Sequence, residues 1–388
     1  MPIHDLEKDI DLILHAISQS HRPLIVAGYG IRQGNAINDF KELLNLLNAP
    51  VVLSRLGIDI LPFSHPSNMG LAGIKGSRYC KKILKSADLI ISLGSRLAVP
   101  FVGHELDAFS ESAFRIVVDI ESAELKKSGV RIDLPINADV KTVINKLNAK
   151  LSGSFNFNSW LSYCQSLKEA YPMVTEDMVK DPIDLYYFMS RVDALSGARN
   201  VLVTDAGSNY YVGGQVFRFE NGQRELTSGT FAAMGLTIPL AIGASVAKKD
   251  AQILAITGDG SLELNIQELK TISYYGLNIK LFVINNGGYV SMRNWQDSVF
   301  EGRRIGSDDE TGAESLDLAK IADAFGLRYA VITGHEEIDE KLKVIMSDDQ
   351  PTFVEVFCDN NQKIIEPFSP EKINLEYRTG GLTWIAKS

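Results

Sequence analysis

Cysteine is scarce in this chain, with three in 388 residues, at positions 80, 164 and 358. A scattered, odd-numbered set builds neither a disulfide framework nor a thiolate metal cluster, and it suits a reducing cytoplasm. No apolar run reaches the roughly 18–20 residues that a membrane span requires. The start, Met1-Pro2-Ile3-His4-Asp5, lacks the basic-then-apolar layout of a signal peptide. An excess of positive charge is missing too. Lys and Arg number 39 against 48 Asp and Glu, a formal charge of −9, which argues against nonspecific nucleic-acid binding. Internal repeats and low-complexity segments are absent. What is present is 45% apolar residues, ample for large cores, and a length that predicts two or three domains. The expectation is a cytoplasmic protein that binds neither membrane nor nucleic acid.

Residues 1–151 alternate apolar strand-like runs with amphipathic helical stretches. The runs are 23–28, 50–54, 89–94 and 115–120, with helices over Asn35–Leu47, Cys80–Ser86 and a last one reaching Leu151. Continuously apolar strands between helices imply a parallel sheet covered on both faces. Residues 152–165 read as a polar linker. A second unit over 166–358 repeats the alternation, with strands at 201–204, 253–257, 281–284, 329–332 and 352–356, and 359–388 reads as a less regular tail. The fold class is therefore α/β, with two doubly wound, mostly parallel-sheet domains.

The densest chemistry lies in the second unit. Gly258-Asp259-Gly260-Ser261 follows one strand, and Asn285-Asn286-Gly287-Gly288 follows the next, with a helix expected over Leu262–Tyr275 between them. One crossover thus sets a carboxylate and a carboxamide at the C-terminal edge of a sheet, where open α/β sheets bind ligands. Hard oxygen donors suit Mg²⁺, which takes six oxygens and commonly keeps phosphate oxygens among them. Gly260-Ser261 opens a helix, whose free N–H groups favour an anion. The predicted ligand is a magnesium diphosphate.

The paired G-D-G-S and N-N signal, and the longer string GDGSLELNIQELKTI, resemble thiamine-diphosphate (ThDP) enzymes, in particular acetolactate synthase-like large subunits. The resemblance implies a DHS-like middle domain over 1–151, carried by RPLIVAG, SADLIISLGSRL and VDIE, and a diphosphate-binding (PP) domain over 166–358. It assigns Asp259, Asn286 and the Gly288 carbonyl to Mg²⁺. It assigns Gly207, Ser208, Asn209, Gly258, Gly260 and Ser261 to the diphosphate side. Ala232 and Met234 fall under the cofactor rings, with Met234 matching the apolar residue that bends the cofactor. Tyr289 follows the metal turn and is expected to cover the cofactor. Arg293 is a candidate for pairing with a substrate carboxylate or, equally, an ordinary surface arginine. Asn285 is expected to brace its turn, and Gly302–Asp309 to form a solvated charged loop.

Members of this family also carry an N-terminal pyrimidine-binding (PYR) domain, which supplies the glutamate that activates the cofactor. The resemblance implies that this domain is missing from these residues, and neither Glu263 nor Glu268 stands in a matching context, so no catalytic residue is assigned in this chain. The resemblance then implies a Mg-ThDP-binding subunit that needs a separate PYR polypeptide, forms a dimer or larger homo-oligomer, and acts on a 2-keto acid or keto sugar by decarboxylation or carboligation. The alternatives are a non-catalytic ThDP-binding or scaffold remnant, and a fragment of a full-length enzyme. FAD, held by the middle domain of some relatives, is not expected: no G-x-G-x-x-G is present, and many members of the family keep the fold without the flavin.

Overall fold

A computed structural model describes residues 5–106, 109–151 and 155–373. The chain divides into two compact units, one running to Pro172 and resuming at Ile365, the other spanning Met173–Ile364.

The first unit is built on six parallel strands: β1 (Pro23–Ala27), β2 (Val51–Leu53), β3 (Asn68–Leu71), β4 (Leu89–Leu93), β5 (Phe114–Asp119) and β6 (Leu134–Asn137). Their order is β3-β2-β1-β4-β5-β6. Residue parity sorts the side chains. Ile25, Ala27, Val51, Leu53, Ile91, Ile116 and Val118 pack on one face, under helices Leu6–Gln19, Ile37–Leu47 and Val140–Lys150. Leu24, Val26, Val52, Ile90 and Val117 pack on the other, under helix Cys80–Ser86. Burial on both faces is why these strands read as unbroken apolar runs. Strands β3 and β6 escaped the sequence reading because they are short edge strands, and Asn68 and Pro135 interrupt their apolar character.

Helix Asn158–Ala170 crosses the expected linker at 152–165, of which Ser152-Gly153-Ser154 lies outside the described residues. Its apolar face belongs to the first unit's core. Trp160 is fully buried there, and its indole N–H donates to the Pro23 carbonyl at 2.9 Å. The tail returns to the same unit. Phe368 meets Tyr171 edge-on at 5.8 Å, and Ile373 is buried in the same cluster; residues 374–388 lie outside the described residues. At the ends of β1 and β4 the backbone packs on itself. A Cβ on Gly28 would lie 2.1 Å from the Gly94 carbonyl oxygen, so this close approach requires glycine.

The second unit has six parallel strands of its own: β7 (Asn200–Thr204), β8 (Arg224–Leu226), β9 (Gln252–Gly258), β10 (Ile279–Asn285), β11 (Arg328–Ile332) and β12 (Thr352–Phe357). The order is β11-β12-β10-β9-β7-β8. From β7 the chain pairs first with β8 on one side and then with β9 on the other, so the topology switches direction between β7 and β9. Val203, Ala255, Leu281, Val283 and Phe353 face one core, whereas Phe282 turns to the other side and meets Phe188 edge-on at 5.8 Å.

One expected helix is broken. Over 262–275 the chain forms a short helix Asp259–Leu262, a 3-10 stretch Glu263–Glu268 with Asn265 out of helical geometry (φ −139°, ψ 33°), and a helix Leu269–Tyr275. The cause is tertiary. The Asn265 side-chain amide donates to the Gly235 carbonyl at 2.9 Å, and a Cβ on Gly235 would stand only 2.7 Å from the Leu264 Cβ, so the chain bends here around Gly235 rather than continuing as an unbroken helix.

Candidate functional site

Three strands deliver their turns to one place. Thr204 of β7 pairs with Ile256 of β9, and Gly258 of β9 pairs with Ile284 of β10. The turns after β7, β9 and β10 therefore leave the same sheet edge side by side, at the switch in topology where α/β sheets open a crevice.

Asp259 begins the helix after β9 and is buried. One carboxylate oxygen accepts the Gly260 N–H at 2.9 Å; the other accepts the Gly288 N–H at 2.8 Å and the Ser315 hydroxyl at 3.3 Å. The turns carrying Asp259 and Asn286–Gly288 are thus joined directly. Burial raises the Asp259 carboxyl above the usual carboxylate range, and the N–H groups of Gly288 and Gly260 work against that rise. Ser315 was not singled out from the sequence; a serine in a polar stretch carries no signal of its own.

The glycines here answer to local demands. A Cβ on Gly260 would lie 2.4 Å from the ring of Tyr289, so the tyrosine folds back over the turn only because residue 260 has no side chain. Burial, and after it the nearby Glu263 and Asp259 carboxylates, push the Tyr289 hydroxyl upward. Gly288 adopts φ 98°, and a Cβ there would meet the Ser307 carbonyl oxygen at 2.9 Å. Asn285 points away from this edge; its amide donates to Glu355 of β12 at 2.6 Å, and Tyr329 donates to the same carboxylate.

Arg293 is buried in the helix Val290–Val299. Its guanidinium donates to four main-chain carbonyls: Asn286 at 2.6 Å, Ser307 at 2.8 Å, Asn360 at 3.0 Å, and Gly287. It is not a surface arginine. Burial lowers its pKa, yet a guanidinium stays charged. Ser307, within the stretch expected to be a solvated loop, is fully buried. Its hydroxyl donates to Gln296 at 2.8 Å, and Arg304 in the same stretch forms a two-point ion pair with Asp297 at 2.7 and 2.8 Å.

On the β7 side, helix Gly207–Val216 starts at the sheet edge with Ser208 and Asn209 buried. Facing Gly207 is the Ser291 hydroxyl, 3.5 Å from where a Gly207 Cβ would stand; it is buried without a hydrogen-bond partner. An orphaned hydroxyl beside a helix start is what an anionic ligand's oxygen would satisfy. Asp205, fully buried ahead of this helix, accepts the Ala206 N–H at 2.7 Å, the Ser261 hydroxyl at 2.6 Å, the Gly235 N–H at 3.0 Å and the Thr257 hydroxyl at 3.2 Å. Asp205 was not singled out from the sequence; an acidic residue at the end of an apolar strand carries no signal of its own. The Ser261 hydroxyl is thereby committed inside the protein, which leaves its backbone as the part available to a diphosphate.

The segment before Gly235 is open. Ala232 takes left-handed geometry (φ 42°) and donates its N–H to Gly229. Phe231 is 91% exposed and Met234 37%. Among the described residues no group of three His, Cys, Asp or Glu side chains is placed to hold a metal. The candidate here is instead one carboxylate, one carboxamide and one main-chain carbonyl. Such a set leaves half of an octahedron for oxygens brought by a ligand, as magnesium diphosphate would bring.

A parallel sheet that gathers a carboxylate, a carboxamide turn and two helix starts at its topological switch defines a nucleotide- or diphosphate-binding α/β unit. Comparison with known proteins makes the class specific. Residues 205–356 match the family model described as thiamine pyrophosphate enzyme, C-terminal TPP binding domain, and residues 10–147 match the thiamine pyrophosphate enzyme central domain. The chain belongs to the thiamine pyrophosphate enzymes. It is 30% identical over 383 residues to the acetolactate synthase large subunit of Lactococcus lactis, covering 97% of this chain and 65% of that one. It is 30% identical over 367 residues to the probable acetolactate synthase large subunit of Methanococcus aeolicus, covering 91% and 60%. An acetolactate synthase of Mycobacterium leprae is 31% identical over 316 residues, covering 80% and 50%. The chain thus spans about half to two thirds of the length of these curated relatives. Among the described residues no helix is long and apolar enough to cross a membrane.

Proposed function

We propose that this chain is the Mg-ThDP-binding part of an acetolactate synthase-like enzyme that decarboxylates or ligates a 2-keto acid or keto sugar. The activating glutamate would come from a PYR domain outside these residues, and the working form would be a dimer or larger. The observation that carries this reading is the direct joining of the two motif turns, Asp259 to the Gly288 N–H at 2.8 Å. It puts a carboxylate, the Asn286 turn and the Gly288 main chain at one point of the sheet edge.

In this reading Asp259, Asn286 and the Gly288 carbonyl hold Mg²⁺. Backbone N–H groups at Gly207–Asn209 and Gly260–Ser261, with the Ser291 hydroxyl, receive the diphosphate oxygens. When bound, ThDP supplies a nucleophilic carbon that adds to a ketone and takes up the negative charge formed there. The protein's own part is positional. Met234 offers an apolar shoulder to the rings, Tyr289 shields the turn at Gly260, and Arg293 holds the metal turn in shape rather than reaching for substrate.

The test is calorimetric titration of ThDP with Mg²⁺ into the chain, repeated with Asp259→Ala and with a candidate PYR protein added. Saturable binding that needs both Asp259 and Mg²⁺, and 2-keto-acid turnover on adding the partner, is the expected result. Absence of binding in every arm would sink the reading. Binding without turnover under any PYR partner would favour the scaffold instead.

A further inference from the structure

We propose that Asp205 is a positioning residue that couples the seat of the cofactor rings to the seat of its diphosphate; this rests on the ThDP reading of the site. The carboxylate is fully buried, and the four groups that donate to it are all neutral. They come from separate stretches of chain: Ala206 opens the turn after β7, Thr257 lies near the end of β9, Ser261 stands in the first helical turn after β9, and Gly235 follows Met234. One oxygen of Asp205 takes three of the four donors.

The Ser261 hydroxyl is a relay. It donates to Asp205 at 2.6 Å and accepts the Gly235 N–H at 2.8 Å, so that N–H is shared between the serine and the carboxylate. Gly235 is held from its other side by the Asn265 amide on its carbonyl. Hydrogen bonds to an ionised acceptor are about twice as strong as neutral ones. A buried carboxylate can therefore fix a left-handed glycine (φ 79°) that would otherwise be free to swing. The exposed Met234 is carried on that fixed point. The ring-side segment is thereby indexed to the diphosphate turns through one carboxylate, although it is 26 residues from Ser261 and 30 from Asp205 in sequence.

The consequence is selective. Weakening Asp205 should misplace the ring seat more than the diphosphate seat, because Gly207–Asn209 and Gly260–Ser261 keep their own helix starts. Two probes separate the seats: Mg²⁺ with ThDP, and Mg²⁺ with inorganic pyrophosphate, each titrated calorimetrically into wild type, Asp205→Asn and Ser261→Ala. Wild type should bind ThDP more tightly than pyrophosphate. Both variants should lose roughly 10-fold or more in ThDP affinity, the loss of one charge-assisted hydrogen bond, while pyrophosphate changes by less than about 3-fold. If Asp205→Asn does not fold, Ser261→Ala carries the same test, since alanine keeps the backbone N–H and removes only the relay. Equal losses for both ligands would overturn the inference and leave Asp205 as ordinary framework. Equal wild-type affinity for the two ligands would overturn it too, because no ring seat would then contribute. A wild type that binds neither ligand, alone or with the PYR protein added, would remove the ThDP reading itself, a distinguishable failure.

Discussion

Replacing Arg293 separates a substrate-binding arginine from a structural one. Its guanidinium meets four carbonyl oxygens, and the contacts to Asn286 and Ser307 are buried whereas those to Gly287 and Asn360 are partly open. In Arg293→Ala, water can reach the two open carbonyls, so they cost little. The two buried ones lose their partner, at about 1–3 kcal/mol each, for a total of about 4 kcal/mol. In a unit of this size that corresponds to a fall of about 10 °C in melting temperature. Arg293→Lys should recover only part of this, because a compact ammonium cannot match four acceptors spread around a planar fork. The assay is urea unfolding alongside Mg-ThDP titration. Lower midpoints with an unchanged slope, and Mg-ThDP binding weakened at least 10-fold, are expected for alanine. A variant as stable as wild type, with normal Mg-ThDP affinity and only a raised KM for the keto substrate, would refute the bracing role and restore the substrate one.

Three further outcomes follow from the geometry. Burial holds the Asp259 carboxyl above its unfolded value, so its ionised form costs stability that is spared at low pH and is lost as pH rises through the folded pKa. Asp259→Asn removes that buried charge but leaves one of the Gly260 and Gly288 N–H groups without its acceptor, so the metal-free chain should change little in stability at neutral pH while Mg²⁺ affinity falls at least 10-fold; in wild type, Mg²⁺ affinity should decline as acid protonates this group, which titration across pH checks. Gly288→Ala must adopt φ 98° and place a Cβ against the Ser307 carbonyl, at a cost of about 1–3 kcal/mol, read as a lower urea midpoint; an unchanged midpoint would count against that geometry. Trp160→Ala should cost about 3–5 kcal/mol and lower hydrogen-exchange protection across β1 and β4 without touching β9, because the indole is buried in the first unit and bonded to Pro23. Loss of protection in β9 instead would assign that helix to the second unit.

Much of the fold was legible because its physics repeats along the chain. Strands β1, β4, β9 and β10 are buried on both faces, so each appears as an unbroken apolar run. The short edge strand β8, Arg-Glu-Leu, carries no such run and left no trace in the sequence. Helix Asn158–Ala170 was hidden behind a polar approach, although Trp160, Leu161, Cys164 and Leu167 fall at helical spacing. The break at Asn265 could not be read locally, since its cause is the carbonyl of Gly235, 30 residues earlier.

The candidate site divides along the same line. The groups that would meet a ligand stand together in short turns, and so a motif exposes them. The groups that hold those turns do not. Asp205 and Arg293 are buried charges of opposite sign, and each is occupied by neutral donors or acceptors contributed from distant stretches. Glycine turns such as 287–288 have positive φ and few side-chain contacts, so their native shape must be imposed from outside. A charged anchor suits that task because its bonds to main-chain dipoles are stronger than neutral ones and cost much to leave unmade. Arg293 binds the carbonyls of Asn286 and Gly287 but not that of Gly288, the one expected to face Mg²⁺. The brace therefore sets the turn while leaving the would-be ligand oxygen outside its grip, so an arginine can sit beside the proposed Mg²⁺ site without competing for it.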